Sequence, residues 1–282
     1  MTLNTVKEGT AGVDKKEHMN HNHSMSARDL AVNYGDRAVI EGLDVDFPHG
    51  QITTIIGPNG CGKSTLLRAM SRLIPTKSGK VLLDQQDVSD IKRKELARTI
   101  SVLPQTPTAP EGLNVADLVS RGRHPHQSWI RQWSSTDEQE VHKALELTGS
   151  LELADRTLDE LSGGQRQRVW ISMVLAQNTD ILFLDEPTTY LDLATSVDIL
   201  ELVRQLRTEL NRTVVMVLHD LNLAVRYSDH LVVMNEGKVL ASGAPSEVIT
   251  AELLHEAFGL AAVVIEDPIT GGPLVVPRYF LD

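Results

Sequence analysis

The chain has 282 residues, of which 41% are hydrophobic and 23% charged, and its formal net charge is -11. These values fit a globular protein with one substantial core plus a subdomain, and the acidic balance argues against a nucleic-acid partner. The single cysteine excludes an intrachain disulfide. No apolar run of about 18 residues could span a bilayer, and no signal-peptide pattern opens the chain, so we expect a cytosolic, non-integral protein.

Residues 1–24 are polar and lack helical or strand periodicity, which predicts a disordered tail. His18, His21 and His23 lie close together in this tail, which leaves a metal site open as an alternative. The alternating residues 27–34 then predict a strand, and residues 38–47 predict its antiparallel partner.

A phosphate-binding loop follows, with the pattern G-x-x-x-x-G-K-[ST]. The apolar run 52–56 predicts a buried strand before it, and the spacing of apolar residues predicts a helix after it. In such a loop, backbone N–H groups and the helix N-terminus bind phosphate oxygens, the lysine reaches the β- and γ-phosphates, and the serine ligates Mg²⁺. The residues predicted to bind nucleotide here are Gly57, Pro58, Asn59, Gly60, Cys61, Gly62, Lys63, Ser64 and Thr65.

Two further strands are predicted at 80–84 and 100–103, and the second ends at a proline. Gln105 follows that proline at a strand-to-loop junction, where a polar side chain can face a ligand. The next region, from about 106 to 177, has a helical pattern. Asn114 is a predicted N-cap, Ser135 or Thr136 is expected to cap the helix that ends at Leu147, and residues 121–127 are too polar and broken to continue either helix.

The segment Leu161-Ser-Gly-Gly-Gln165 precedes an apolar helix. Ser162 is its predicted N-cap, and the two glycines leave the following backbone N–H groups uncovered. Arg166 and Arg168 place positive charge at the positive end of the helix dipole, an arrangement that a bound anion would relieve. The segment therefore predicts a second phosphate site, with a flexible capped helix as the alternative.

Two buried strands end in polar residues. Residues 181–184 lead into Asp185 and Glu186, and residues 213–218 lead into His219. Adjacent carboxylates at the end of a buried strand are costly unless a cation or a reaction needs them. Because ligands bind at the carboxyl ends of strands in open α/β sheets, we expect these side chains to meet the phosphate-binding loop.

The remaining residues predict a hairpin around 235–237, helical structure at 245–258, and two short strands at 263–265 and 273–277. The predicted domain organisation is a tail (1–24), an ATPase domain (25–243) and a C-terminal appendage (244–282).

With the phosphate loop, residues 161–165 and the Asp185-Glu186 strand in this order, the chain resembles the ATPase subunit of ABC transporters over about residues 26–243. The resemblance implies an α/β, ABC-type P-loop NTPase with a RecA-like core, an N-terminal antiparallel β subdomain and an α-helical subdomain inserted at about 106–177. It also implies ATP and Mg²⁺ as cofactors.

The same resemblance implies roles for single residues. Tyr34 would stack on adenine, Gln105 would link Mg²⁺ and the attacking water to the membrane partner, and Asp185 would ligate the metal together with the P-loop serine. Glu186 would be the general base and His219 would contact the γ-phosphate. In a head-to-tail dimer, one segment of each subunit would close on the γ-phosphate of the nucleotide that the other subunit holds. This segment comprises Ser162, Gly163, Gly164 and Gln165.

Three segments resemble importers of iron–siderophore complexes, haem or cobalamin: residues 121–127, 186–193 and 267–277. The Arg-Gly-Arg-x-Pro-His pattern in the first is most similar to the ferric-siderophore group. The implied partners are a second copy, integral membrane permease subunits and, indirectly, an extracytoplasmic binding protein, with the ATPase peripheral on the cytoplasmic face of the inner membrane. The alternative is a soluble ABC ATPase of the iron–sulfur assembly type.

Cys61 offers a further alternative. A helix N-terminus and nearby Lys63 are both expected to lower its pKa, which would allow inhibition by oxidation, whereas the plainer interpretation is an inert filler of a variable position.

Overall fold

The computed structural model describes residues 23–128 and 133–278. Residues 1–22 of the predicted tail, including His18 and His21, lie outside the described residues. The last two tail residues contact the folded chain: the Ser24 amide donates to an Asp84 carboxylate oxygen at 2.7 Å, and the His23 imidazole pairs with the same carboxylate.

An antiparallel sheet of four strands forms the N-terminal part of the fold, as predicted. Its spatial order is β2-β1-β4-β5, and its apolar face packs on helix α1 through residues such as Leu30, Ile40 and Leu66. The alternation of buried and exposed side chains along β2 is typical of a sheet with one solvated face. The elements are β1 (Met25–Tyr34), β2 (Arg37–Phe47), β4 (Ser78–Leu83), β5 (Gln86–Asp87) and α1 (Lys63–Met70).

The second sheet has six strands in the order β10-β9-β3-β8-β7-β6, of which only the β9–β10 pairing is antiparallel. Every residue of β3, β7 and β8 is buried, which explains their continuous apolar runs. Since these three strands are parallel neighbours, the segments after them meet at one edge of the sheet. The strands are β3 (Ile52–Ile56), β6 (Ile100–Leu103), β7 (Ile181–Asp185), β8 (Thr213–Val217), β9 (His230–Asn235) and β10 (Lys238–Gly243).

The described α-helices between β6 and β7, which are α3, α4 and α5, form the inserted helical part. A two-stranded hairpin, β11–β12, ends the described chain. The predicted strands all form, whereas α2, α6 and α7 were not predicted. The elements are α2 (Arg93–Thr99), α3 (Val115–Ser120), α4 (Ser135–Leu147), α5 (Gly163–Ala176), α6 (Leu193–Leu210), α7 (Leu221–Tyr227), α8 (Pro245–Val248), α9 (Ala251–Phe258), β11 (Ala262–Glu266) and β12 (Pro273–Pro277).

The predicted helix caps are right except at α4. Asn114 caps α3 by accepting from the Asp117 amide, as expected. Helix α4 begins at Ser135, so the expected caps Ser135 and Thr136 are wrong and the cap is Ser134. The reason is a reciprocal capping box, in which the Ser134 hydroxyl accepts from the Asp137 amide and the Asp137 carboxylate accepts from the Ser134 amide.

The segment 121–127 contains a 3-10 helix, Arg121–His126, that follows α3 directly. Its Arg123 is buried and donates to Asp137 at 2.9 Å and to the Ala176 carbonyl at 2.7 Å, so it joins this 3-10 helix to α4 and α5. Burial tends to raise the pKa of Asp137, but the Ser134 hydroxyl and the Arg123 guanidinium outweigh burial and hold that pKa below its usual range.

Replacing Arg123 with Met should lower the free energy of unfolding by about 3 kcal/mol at pH 7, because it leaves the Asp137 carboxylate buried without its ion-pair partner. The wild-type ion pair contributes its full stabilisation above the pKa of aspartate in the unfolded chain, about 4. This stabilisation is lost as pH falls below that value and through the lower pKa of Asp137 in the folded chain. The difference between the two proteins should therefore shrink in acid. Urea denaturation at pH 7 and at about pH 3 measures this difference. The exposed Arg121→Met is the matched control, and equal stabilities of the two variants at pH 7 would contradict the prediction.

Candidate active site

The phosphate-binding loop lies between β3 and α1, where backbone conformation and close contacts require glycine. Gly57 has a φ of 155°, and a Cβ there would lie 2.1 Å from the Met234 carbonyl oxygen. Gly62, with a φ of 109°, immediately precedes α1. The Lys63 side chain is buried, and its ammonium donates to the Gly57 and Pro58 carbonyls at 2.9 and 3.0 Å. The loop thus holds one positive charge beside the N-terminus of a helix, an arrangement that attracts phosphate.

Cys61 lies inside this loop with 5% of its surface exposed. Burial raises the pKa of its thiol, and the opposing effect of the Lys63 charge is smaller. This direction favours the interpretation of Cys61 as an inert filler over the redox alternative, because burial, which the sequence does not show, has the larger effect on the pKa.

We expect Cys61 to react with iodoacetamide at pH 7 at least about tenfold more slowly than free cysteine, since the reactive thiolate is both scarce and enclosed. Mass spectrometry of the intact chain over time measures the rate, and the same chain in urea provides the unhindered reference. A folded-state rate equal to that of free cysteine would show that the thiol is accessible and ionised.

Asp185 ends β7 with 1% of its surface exposed. The Ser64 hydroxyl donates to its Oδ1 at 2.7 Å. Its buried Oδ2 has no hydrogen-bond partner among the described residues and lies 3.9 Å from an Arg68 nitrogen. Burial raises the pKa of this carboxyl group. A buried oxygen that accepts no hydrogen bond can be stabilised by a bound cation. A carboxylate beside a hydroxyl provides oxygen ligands of the kind that Mg²⁺ prefers. These residues fit a magnesium ion.

Glu186 is held by side chains that follow three different strands. Its backbone has a φ of 55°, a left-handed conformation that is uncommon outside glycine and turns the chain away from β7. Its Oε2 accepts from Gln105 Nε2 at 2.6 Å and from the Thr189 hydroxyl at 2.9 Å, and its Oε1 lies 2.6 Å from His219 Nε2. The segments after β6, β7 and β8 therefore converge on one carboxylate.

An open cleft of about 870 Å³ contains these groups and the phosphate-binding loop. Tyr34 is not among its lining residues: it lies at the end of β1, about half exposed, and Val39 is the side chain that the N-terminal sheet contributes. The role of Tyr34 at adenine therefore stays a prediction. The lining comprises Val39, Gly57, Pro58, Asn59, Gly60, Gly62, Lys63, Ser64, Thr65, Gln105, Glu186, Thr189, Tyr190, His219, Leu221 and Phe258.

Residues 162–165 form the N-terminus of α5 outside this cleft. Ser162 and Gln165 cap the helix reciprocally, with the Gln165 amide donating to the Ser162 hydroxyl at 3.3 Å. A Cβ on Gly164 would lie 2.6 Å from the Thr195 methyl carbon, so this glycine permits close packing against α6. Among the described residues that line the cleft, none belongs to this segment.

Several residues of the site were not assigned to it from the sequence, and Thr189, Arg68 and Phe258 are examples. Thr189 follows Glu186 by three residues, a spacing that returns its hydroxyl to the Glu186 carboxylate, so a local signal was present. Arg68 lies one helical turn after Ser64, on the same side of α1, and approaches Asp185. Phe258 reaches the cleft from the C-terminal appendage, and nothing local in its sequence indicates this.

The ABC transporter family model matches residues 40–189, slightly more than half of the chain. The chain belongs to the ABC transporter family. It is an ATP-binding and ATP-hydrolysing cassette, and the predicted α/β fold with an antiparallel sheet and a helical insertion is confirmed.

Several relatives match nearly the whole chain, among them one from Bacillus subtilis and one from Escherichia coli. The chain is 49% identical to the probable siderophore transport system ATP-binding protein of Bacillus subtilis, covering 90% of this chain and 93% of that one. It is 51% identical to the ferric enterobactin transport ATP-binding protein of Escherichia coli, covering 88% and 92%. A metal-chelate type ABC transporter solved in an inward-facing conformation contains a chain of the same fold, with a TM-score of 0.80, 30% identity, and coverage of 92% and 98%.

No helix within the described ranges is long and apolar enough to cross a membrane.

Proposed function

We propose that this chain energises the import of iron–siderophore complexes by hydrolysing ATP beneath a membrane permease. The observation that carries the proposal is the Glu186 carboxylate, positioned by Gln105, Thr189 and His219 one residue beyond the buried Asp185. The siderophore class is supported by two relatives that are about half identical and carry siderophore transport or ferric enterobactin transport in their names.

Glu186 acts as the general base. A base must be fixed within reach of the proton that it removes, and this carboxylate is held on both of its oxygens. His219 contacts the γ-phosphate and Gln105 orients the water. These two groups, which hold Glu186, therefore also lie around the space in which the water attacks. Lys63 and the backbone N–H groups of residues 57–62 bind the phosphates.

Ser64, Asp185 and Gln105 would hold Mg²⁺. When bound, the ion neutralises charge on the β- and γ-phosphate oxygens. It would also offset the charge of the buried Asp185 carboxylate and so relieve the cost of burying it.

A second copy completes the site. Ser162, Gly163, Gly164 and Gln165 of one copy close on the γ-phosphate held by the other, which explains why these residues lie outside the cleft of their own chain. Since ATP would touch both copies only in the closed dimer, ATP favours closure by its differential affinity for the two states.

The chain would lie peripherally at the cytoplasmic face of the membrane, with its helical insertion receiving the permease and an extracytoplasmic binding protein delivering the substrate. The test is a pull-down of tagged Glu186→Gln protein with ATP from detergent-solubilised native membranes, with co-purifying proteins identified by mass spectrometry. A polytopic permease is the expected partner. Soluble partners alone, from intact membranes, would overturn the transport proposal in favour of a soluble ABC ATPase.

The substrate class is tested on the binding protein of the same system. Titration of that protein with a ferric siderophore, haem and cobalamin should give tight binding of the siderophore. Preference for haem or cobalamin would retain the importer and replace its substrate.

A further inference from the structure

The C-terminal hairpin is joined to α7 by the side chain of Asn222. The Val275 amide of β12 donates to Asn222 Oδ1 at 2.8 Å, and Asn222 Nδ2 donates to the Val275 carbonyl at 3.1 Å. Because the amide and carbonyl of one strand residue point to the same side of the strand, this side of β12 faces α7. Asn222 therefore bonds to both backbone groups of Val275 in the manner of a neighbouring strand.

Asn222 lies in the first turn of α7, three residues after His219. His219 and Asp220 belong to the segment that joins β8 to α7. The Asp220 carboxylate caps the helix by accepting from the Leu223 amide at 2.9 Å, and the Asp220 carbonyl accepts from the Ala224 amide at 2.9 Å. These bonds hold the backbone next to His219 on the first turn of α7, so the position of that turn determines where the His219 side chain begins.

Helix α7 is too short to be stable by itself. It spans seven residues, Leu221–Tyr227, whereas isolated helices shorter than about 12 residues are marginal in water. Its position must therefore come from contacts with other elements, which include α6, β3 and β12. The contact with β12 is made by hydrogen bonds from the first turn, through Asn222. The residues that α7 buries are Ala224, Val225 and Tyr227.

The His219 side chain is only partly enclosed. It is 43% exposed, and its Nε2 lies 2.6 Å from Oε1 of the buried Glu186. A shift of the first turn of α7 would lengthen this contact, and a misplacement of about 1 Å near a reacting centre can reduce a rate by about 10²-fold. Leu221 and Phe258, which belong to the elements beside the hairpin, line the cleft next to His219.

We propose that Asn222 is a positioning residue for ATP hydrolysis, which acts by holding His219 against Glu186. The hairpin then supports the active site through its bonds with Asn222. The role of Asn222 rests on the proposed function, because that function places His219 at the γ-phosphate.

The first measurement separates turnover from nucleotide binding. In Asn222→Ala, kcat for ATP hydrolysis should fall about tenfold while KM stays within about twofold, because Lys63 and the phosphate-binding loop are unaltered. Arg226→Ala is the matched control, since Arg226 also approaches the hairpin, 3.9 Å from Asp267. Arg226 lies one turn further along α7, at the end away from His219, so its replacement should leave kcat and KM unchanged.

The second measurement reports on His219 without reference to hydrolysis. Diethylpyrocarbonate modifies accessible neutral imidazoles, and peptide mass spectrometry gives the rate for each histidine. His219 should react about threefold faster or more in Asn222→Ala than in the wild type, the lower limit expected when a hydrogen bond that shields the ring is lost. In Arg226→Ala the rate should equal that of the wild type. The exposed His142 of α4 is the internal reference and should react equally in all three proteins.

The possible outcomes separate the role of Asn222 from the proposed function. Unchanged kcat in Asn222→Ala, with or without a raised KM, would overturn the positioning role, and so would a lower kcat with His219 reacting at the wild-type rate. Hydrolysis by Glu186→Gln at the wild-type rate would overturn the proposed function, whatever Asn222→Ala shows. Should Asn222→Ala unfold the chain, Asn222→Asp decides by the same comparisons, because it still accepts from the Val275 amide but cannot donate to the carbonyl.

Discussion

Replacing Glu186 with Gln should lower steady-state ATP hydrolysis by about 10²- to 10⁴-fold, the range over which a general base contributes. The amide keeps the size of the side chain but cannot accept a proton from water. Because nucleotide binding does not depend on that step, the variant should still bind ATP and should accumulate as an ATP-bound dimer. Phosphate release assays measure turnover, and size-exclusion chromatography with and without ATP measures the dimer.

Glu209→Gln is the matched control, because it removes the same charge from an exposed position on α6. It should leave both turnover and dimerisation unchanged. Hydrolysis by Glu186→Gln at the wild-type rate would remove Glu186 from the role of base and with it the observation on which the proposed function depends.

Replacing Gly57 with Ala should abolish ATP binding and destabilise the fold by about 2 kcal/mol or more. The added Cβ would lie 2.1 Å from the Met234 carbonyl oxygen and 2.8 Å from the Cys61 sulfur, and a backbone oxygen in β9 cannot move away without disturbing the sheet. The φ of 155° adds backbone strain. Displacing the loop also removes the carbonyl that holds the Lys63 ammonium.

Gly60→Ala separates steric overlap from backbone strain. Gly60 also has a positive φ, 78°, but apart from its two chain neighbours no described residue comes within 4 Å of a Cβ built there. We expect a cost of about 1 kcal/mol and retained ATP binding, because only the left-handed conformation is penalised. Titration with a fluorescent ATP analogue and urea denaturation compare the two variants. Equal effects would mean that the contact with Met234 does not restrict the loop.

Much of the site could be predicted from the sequence because its signals are local. The phosphate-binding loop is a run of eight residues, and the order of strand, glycine-rich turn and helix follows from periodicity. Asn114 and Ser162 were identified as N-caps because a capping side chain bonds to an amide only three residues further along the chain. The buried strands β7 and β8 were evident from their apolar runs, and the polar residues after them followed directly.

A long helix was not predicted, and the cap of another was misplaced, although both depend on local sequence. Helix α6 was missed although its buried residues recur at helical spacing, as at Ser196, Ile199, Leu200 and Val203. The cap of α4 was misplaced by one residue because three consecutive residues, Ser134, Ser135 and Thr136, can each serve as a cap. The reciprocal bonds with Asp137 selected Ser134, and that geometry exists only once the helix has formed.

The sequence by itself determined that this chain binds phosphate, where its strands end, and which polar residues follow them. Only the tertiary structure decided how those residues act together, because contacts between strands that are far apart in sequence leave no periodic trace. It placed three donors around Glu186 and brought Phe258 to the cleft. Within the described part of the chain, it left Asp185 Oδ2 without a hydrogen-bond donor. It also decided between the two interpretations of Cys61, since burial is a property of packing and its effect on the thiol pKa outweighs that of the neighbouring charge that the sequence displays.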